Sequence, residues 1–234
     1  MNTFKTSLLA SAITAMLPTL AAFAEEEKTL PGEFSGNVAL TSNYIYRGVT
    51  QSNDGPAISG GFDYVQDIFY AGIWGSSVEW DGTSIEIDYY LGATPSYKNF
   101  NFDIGLIYYT YPDAPSDPEQ NFVEFYAGVS TTLGELVEVG ASLAISPDFY
   151  GESGQALYPA LDASVPLPGG IFSLSAHYGY QSFDDDLVDD YSDYNIGVTA
   201  SFEGFDLTLG YSDTSDRDGG DEDDAIFVSL GRSF

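Results

Sequence analysis

The sequence has no cysteine, one histidine and only six lysines and arginines among its 234 residues. Without cysteine, neither a disulfide framework nor a thiolate metal site is available. The 36 acidic residues give a formal net charge of −30, which argues against nucleic acid as a partner because phosphates are bound by basic patches. Aromatic residues nevertheless make up 15% of the chain, which is too many for a disordered acidic protein. We therefore expect an acidic, folded chain.

Long apolar runs are also missing, except at the amino terminus. One basic residue precedes an uncharged stretch over 6–23, and Ala22-Phe23-Ala24 is followed directly by three glutamates. This order is typical of a signal peptide. A membrane anchor is the alternative, but Pro18 interrupts the run. We expect cleavage of residues 1–24 and export, then a short periplasmic segment at 25–33 and one folded domain over 34–234.

The remaining sequence alternates apolar and polar residues over nine or ten positions. From Phe172 to Tyr180 every second residue is apolar or aromatic, and His177 is among those between. A period of two is the pattern of a strand with one apolar and one polar face. Strands of about ten residues match a tilted membrane-spanning strand and exceed the usual length in soluble sheets. Twelve such segments are predicted: 34–47, 57–65, 68–80, 84–95, 100–111, 119–132, 136–146, 156–166, 171–181, 194–202, 205–212 and 225–234.

The connections alternate in length. The tight turns are 66–67, 96–99, 133–135, 168–170 and 203–204. The links between them are 48–56, 112–118, 147–155, 182–193 and 213–224, with a short one at 81–83. Short periplasmic turns alternating with long outer loops are typical of outer-membrane barrels. We predict an all-β fold, a transmembrane antiparallel up-and-down β-barrel of about 12 strands in a Gram-negative outer membrane, with both termini periplasmic.

The third segment, 68–80, contains two apolar sets. Phe69, Ala71 and Ile73 favour one register, whereas Trp74, Val78 and Trp80 favour the other. A bulge or a kink at Gly72 or Gly75 is expected to reconcile them.

The chain ends on Phe234, preceded at alternate positions by Leu230, Val228 and Ile226. A terminal phenylalanine on an alternating last strand resembles the signal read by the outer-membrane barrel-assembly machinery, which we therefore expect as a partner. Arg232 replaces the apolar residue usual on that face, where it can extend to the lipid headgroups.

Seven segments between residues 37 and 150 form an ordered set: 42–48, 51–52, 56–64, 70–76, 86–92, 108–112 and 146–149. They read SNYIYRG, QS, PAISGGFDY, YAGIWGS, EIDYYLG, YYTYP and SPDF. Together they resemble the opening of the TorF-type outer-membrane porin family. The resemblance implies an outer-membrane pore-forming protein, and the family offers no catalytic residues that could be assigned to this sequence.

In these registers, most of the charged side chains in the strands fall on the face away from lipid. A base facing lipid at mid-membrane costs about 2–4 kcal/mol, and an acid somewhat less. The carboxylates either keep the lumen polar or select cations, and both interpretations stay open. The candidate lumen residues are Arg47, Asp63, Glu79, Glu86, Asp88, Asp103, Glu124, Glu138, Asp162 and Asp206, with His177 on the same face.

Arg47, at the outer end of the first predicted strand, is the one clear base in this set. A buried guanidinium needs carboxylate partners, for which Glu79 and Asp63 are the candidates. The pair is either a structural brace or a site that grips a solute. His177 has no hydrogen-bonded serine partner by strand spacing, so we expect no enzyme.

The loops over 182–193 and 213–224 are rich in aspartate. Their spacing departs from the EF-hand pattern, so no metal site is predicted firmly. The weak candidates for divalent cations, which would bridge to lipopolysaccharide, are Asp216, Asp218, Asp221 and Asp223.

The functional expectation is a channel for passive diffusion of small hydrophilic solutes, preferring cations and needing no cofactor. The alternative is a closed barrel with a structural, adhesion or envelope-integrity role, since twelve strands lie between filled and open barrels. Inward Tyr90, Tyr109 and Tyr126 favour the closed barrel. Inward glycines favour open space: Gly105, Gly128, Gly140, Gly179, Gly197 and Gly210.

Deleting Phe234 is expected to slow membrane insertion and to leave periplasmic material, because the assembly signal is lost. Fractionation of cells expressing the truncated chain measures this. Insertion at the normal rate and yield would remove that role from Phe234.

Overall fold

The computed structural model describes residues 31–80, 82–134, 136–184, 189–215 and 224–234. In this part of the chain, twelve long strands form one antiparallel sheet in which each strand pairs with the next. The strands are β1 Glu33–Thr41, β2 Ala57–Gln66, β3 Phe69–Trp80, β4 Thr83–Ala93, β5 Phe100–Thr110, β6 Phe122–Leu133, β7 Val137–Ser146, β8 Ala156–Pro166, β9 Phe172–Phe183, β10 Tyr191–Phe202, β11 Phe205–Ser215 and β12 Ala225–Ser233. The predicted barrel is confirmed.

Pairing between the first and last strands closes the sheet. β1 and β12 pair from Asn37–Ser233 to Thr41–Ser229. The Gly36 and Phe234 backbones then exchange two further hydrogen bonds of 2.8 and 2.9 Å. Three smaller elements lie in the connections: a strand pair Ile45–Tyr46 and Val49–Thr50, a strand Ser96–Tyr97 against β5, and a 3₁₀ turn Tyr150–Glu152. No helix of the described residues is long and apolar enough to cross a bilayer.

The outer surface of the barrel is apolar. Phe34, Phe62, Ile196 and Ile226 are 60–73% exposed, and most other large apolar side chains on the outward positions are exposed too. Carboxylates such as Glu86, by contrast, are buried inside. This is the reverse of a water-soluble protein and suits a surface that meets hydrocarbon.

The first strand is shorter than predicted. β1 ends at Thr41, and the chain then folds into the hairpin formed by Ile45–Tyr46 and Val49–Thr50. Its two turn residues, Arg47 and Gly48, have φ of 49° and 78°. Positive φ at both positions is typical of a two-residue hairpin turn. The prediction that Arg47 ends the first strand is therefore wrong.

The register of β3 is simpler than expected. Phe69, Ala71 and Ile73 point outward, whereas Trp74 and Val78 are buried inside. The two sets do not compete, because odd and even positions of one strand face opposite sides. The predicted break at Gly72 or Gly75 is wrong, and the irregularity lies between Ser77 and Trp80, where the pairing with β4 shifts by one residue.

Tyrosine rings cover glycines on the inner wall. Tyr126 lies over Gly105 of the adjacent strand, where an added Cβ would lie 2.7 Å from the tyrosine Cζ. Three other tyrosines have the same arrangement: Tyr90 over Gly72, Tyr70 over Gly92, and Tyr158 over Gly179. The Phe227 ring covers Gly210 in the same way. The interpretation that Gly105, Gly179 and Gly210 leave open space is wrong, because a neighbouring ring fills each position.

We expect Gly105→Ala to destabilise the barrel by about 1–3 kcal/mol, the usual cost of overpacking. Gly128→Ala is the matched control, since the nearest atom to a Cβ there is 3.7 Å away. The free energy of unfolding of both variants is measured by urea titration in detergent. Equal stability of the two variants would contradict this account of the tyrosine–glycine pairs.

Candidate functional site in the barrel lumen

The loop after β1, residues 42–56, folds into the barrel. Asn43, Arg47 and Ser52 are only 3–6% exposed. The Asn43 amide oxygen accepts hydrogen bonds from the hydroxyls of Thr50 (2.7 Å) and Ser52 (3.2 Å), and its nitrogen donates to Asp54 (2.8 Å). These bonds hold the loop in one shape. We call residues 45–50 the Arg47 hairpin.

The tip of the Arg47 hairpin reaches the opposite wall. Arg47 Nη2 donates to both carboxylate oxygens of Glu124 on β6, at 2.6 and 2.9 Å. Arg47 Nη1 donates to Gln181 Oε1 on β9 at 2.7 Å. A Cβ at Gly48 would lie 2.8 Å from Asp193 Cβ on β10. Because the hairpin leaves the wall between β1 and β2, these contacts place it across the lumen.

Aromatic rings surround the Arg47 guanidinium. Its carbon lies 4.0 Å from the ring centroid of Tyr158 and 4.8 Å from that of Tyr46, within cation–π range. The Tyr46 hydroxyl donates to Glu124 Oε2 at 3.0 Å. The side chains of Arg47 and Glu124 are 5% and 2% exposed. Removing one partner of such a buried pair typically costs about 3–5 kcal/mol, because the other charge is left unpaired.

The partners predicted for Arg47 are wrong. Asp63 instead accepts a hydrogen bond from the Tyr90 hydroxyl. Glu79 is exposed on the outward side of β3, one residue before its end, so its assignment to the lumen is wrong. The cause is the hairpin, which carries Arg47 away from β2 and β3 to the far wall.

The other predicted acids line the lumen. Glu86, Asp88, Asp103 and Glu124 are buried, whereas the remaining four are half-buried: Asp63, Glu138, Asp162 and Asp206. Three carboxylate oxygens have no hydrogen-bond partner among the described residues: Glu86 Oε2, Asp88 Oδ1 and Asp103 Oδ2. These acids lie on the adjacent strands β4 and β5, so the unsatisfied carboxyl groups are concentrated on one wall.

A second polar cluster lies on β8 to β10. His177, which points inward as predicted, bonds Asp162 through Nδ1 (2.7 Å) and the Tyr158 hydroxyl through Nε2 (2.8 Å). Tyr158 donates in turn to Asp193 at 2.8 Å. Asp193 was missed because the sequence places it in a loop, whereas β10 begins at Tyr191. Gln181, which is fully buried, extends the inward series of His177 on β9 and could have been found from that alternation.

The family model of the Gcw_chp family, described as bacterial proteins of unknown function, matches residues 25–228. The chain belongs to the Gcw_chp family. No curated protein matches. Neither the family model nor the similar structures name a TorF-type family, so that resemblance stays a prediction.

Several solved outer-membrane proteins share the fold. An outer membrane channel from Pseudomonas putida F1 is 13% identical, with a TM-score of 0.54 over 89% of this chain and 97% of that one. The KdgM porin, solved in complex with disordered oligogalacturonate, is 8% identical, with a TM-score of 0.58 over 86% and 98%. The NanC porin is 9% identical, with a TM-score of 0.56 over 86% and 99%. At these identities the likeness is one of fold alone.

Some predicted sites lie outside the described residues. These are the signal peptide at 1–24 and the divalent-cation candidates Asp216, Asp218, Asp221 and Asp223. Within the described ranges, no three histidine, aspartate or glutamate side chains are grouped so as to hold a metal ion. Phe234 contributes to barrel closure through Gly36, while its role in assembly stays a prediction.

We expect Arg47→Met and Glu124→Gln each to destabilise the barrel, the former by about 3–5 kcal/mol because Glu124 is then buried unpaired. The double variant should recover part of the loss, since neither charge is left. Unfolding by urea in detergent measures all three. Arg232→Met is the control, because Arg232 is exposed and stacks on Phe205 at 4.6 Å. An Arg47→Met variant as stable as the control would contradict the role of the buried pair.

Proposed function

We propose that the protein is an outer-membrane channel for passive diffusion of small hydrophilic solutes, with a preference for cations. The observation that supports it is the acidic inner wall of a closed barrel whose outside is apolar. That combination gives a polar route through an otherwise apolar layer. The fold shared with outer-membrane porins agrees with this function and with a location in the outer membrane.

The preference for cations follows from the charges on the wall. The inward acids of the described strands include Asp63, Glu86, Asp88, Asp103, Glu124, Glu138, Asp162, Asp193 and Asp206. Arg47 neutralises only Glu124, and His177 lies between Asp162 and Asp193. Low-dielectric walls concentrate the field of the remaining acids on a passing ion. Acidic rings favour cations in other channels for the same reason.

The Arg47 hairpin limits the size of the solute. It crosses the lumen from the side of β1 to Glu124, Gln181 and Asp193, so any solute has to pass beside it. Its hydrogen bonds end on side chains of the wall, and they release if the hairpin is displaced. We therefore assign the narrowest passage to this level of the barrel.

The second candidate is a closed barrel with a structural, adhesion or envelope-integrity role. The same hairpin favours it, together with Tyr90, Tyr109 and Tyr126, which are 2–6% exposed. Conductance separates the two functions. A barrel that carries no current in a planar bilayer, either as wild type or as Arg47→Ala, is closed.

In a KCl gradient across a planar bilayer, the reversal potential is expected to have the sign of K⁺ permeating faster than Cl⁻. Changing Glu86→Gln, Asp88→Asn and Asp103→Asn together should shrink that potential, because three lumen charges are removed. Glu79→Gln, which removes an exposed outward charge, is the control and should leave the potential unchanged. A wild-type pore that prefers Cl⁻, or a potential unaffected by the triple change, would refute the preference for cations.

A further inference from the structure

Two buried acids lie side by side on β4, in the half of the strand nearer the Arg47 hairpin. Glu86 and Asp88 are 2% and 1% exposed and, being two residues apart, share the inward face. Glu86 Oε2 and Asp88 Oδ1 have no hydrogen-bond partner among the described residues. Glu124, at the same end of the lumen, differs because Arg47 and Tyr46 bond both of its oxygens. Buried carboxylates are normally paired, so these two oxygens can accept hydrogen bonds from a bound solute.

Aromatic side chains flank the two acids. Trp74 of β3 is the direct cross-strand neighbour of Asp88, and Tyr109 of β5 is its neighbour on the other side. The Tyr44 and Tyr111 side chains hydrogen-bond the Glu86 carboxyl, whose Oε2 stays without a partner. The Tyr44 ring meets Trp74 edge-on at 5.6 Å, and Tyr111 meets Trp80 at 5.4 Å. We call Glu86, Asp88, Tyr44, Trp74 and Tyr111 the Glu86–Asp88 site.

The lumen contains an example of how such a site binds a cation. The Arg47 guanidinium is held by the Glu124 carboxylate and lies over the rings of Tyr158 and Tyr46. The Glu86–Asp88 site also combines carboxylates with aromatic rings, and Arg47 bonds neither of its acids. Guanidinium and ammonium groups suit both kinds of contact, since they donate charge-assisted hydrogen bonds and are attracted to ring faces.

We propose that the Glu86–Asp88 site binds a small organic cation bearing a guanidinium or primary ammonium group. This inference rests on the proposed channel, because the solute reaches the site through the lumen. A chelated divalent metal fits less well, because no three metal-ligating side chains are grouped in the described part of the chain. The aromatic side chains attract either cationic group through their ring faces, and the flat, weakly hydrated guanidinium group can also stack on them.

The chain offers a direct optical test. Its two tryptophans are Trp74, within the site, and Trp80, next to Tyr111. Refolded full-length barrel in detergent is titrated with methylguanidinium at constant ionic strength while tryptophan fluorescence is recorded. The neutral isostere methylurea is titrated in parallel. A saturable change with methylguanidinium and none with methylurea is the expected result.

The double variant Glu86→Gln and Asp88→Asn should weaken binding by about tenfold or more, the usual effect of losing a charge-assisted hydrogen bond. Glu79→Gln is the matched control, because it removes an outward acid adjacent to Trp80 and should leave binding unchanged. Heat-modifiable migration in a gel verifies that each variant is folded. If the double variant does not fold, the proposal is tested by the wild type alone, through the difference between its responses to methylguanidinium and to methylurea.

Equal responses to methylguanidinium and methylurea would overturn the proposal, as would undiminished binding by the folded double variant. Failure of the channel would look different. A barrel that binds methylguanidinium but carries no current contradicts the proposed function and leaves the site in place. A barrel that conducts K⁺ but does not bind methylguanidinium contradicts the site alone.

Discussion

The pairing of β1 with β12 is the constraint on which the other features depend. In hydrocarbon, each unpaired backbone N–H or C=O costs several kcal/mol, so a sheet there has to close on itself. Closure gives every strand two neighbours and assigns one face of each to the outside and one to the inside. The apolar exterior and the polar interior follow from that assignment together with the period of two.

A polar interior creates a second requirement, because carboxylates that leave water need partners. At Glu124 the chain meets this requirement with its own loop, which brings Arg47 across the lumen. Asp162 is hydrogen-bonded by His177, and Asp193 is hydrogen-bonded by Tyr158. Glu86 and Asp88 each keep an oxygen that no described side chain satisfies. The interior therefore divides into a β8–β10 region, whose acids are hydrogen-bonded by His177 and Tyr158, and a β4–β5 wall that keeps unsatisfied carboxylate oxygens.

The barrel could be predicted from sequence because alternation is a local signal. Each of the twelve strands contains enough apolar residues at every second position to reveal its outward face. The lumen could be predicted only in part. The position of Glu86 and Asp88 follows from their own strand, but the partner of Arg47 depends on a hairpin whose residues continue the alternation of β1. Ile45 and Tyr46 look like two more positions of a strand, but β1 ends at Thr41 and the turn at Arg47-Gly48 pairs them with Val49 and Thr50 instead.

The tyrosine–glycine pairs were also beyond local reasoning, since they depend on which residues of two strands lie opposite each other. Gly105 looks like free space until the register places Tyr126 beside it. Asp193 was lost for a different reason: an aspartate-rich sequence suggests a loop, although the last of these aspartates already belongs to β10.

The Arg47 contacts also have a consequence for the order in which the molecule is assembled. Arg47 is 77 residues from Glu124 and 134 residues from Gln181 along the chain. Contacts between residues so distant in sequence require the intervening loop to be closed first. The hairpin is synthesised early, yet its partner on β9 exists only after three quarters of the chain has been made. The contacts of Arg47 therefore form late, although Arg47 itself is made early. Until they form, its guanidinium stays solvated rather than buried.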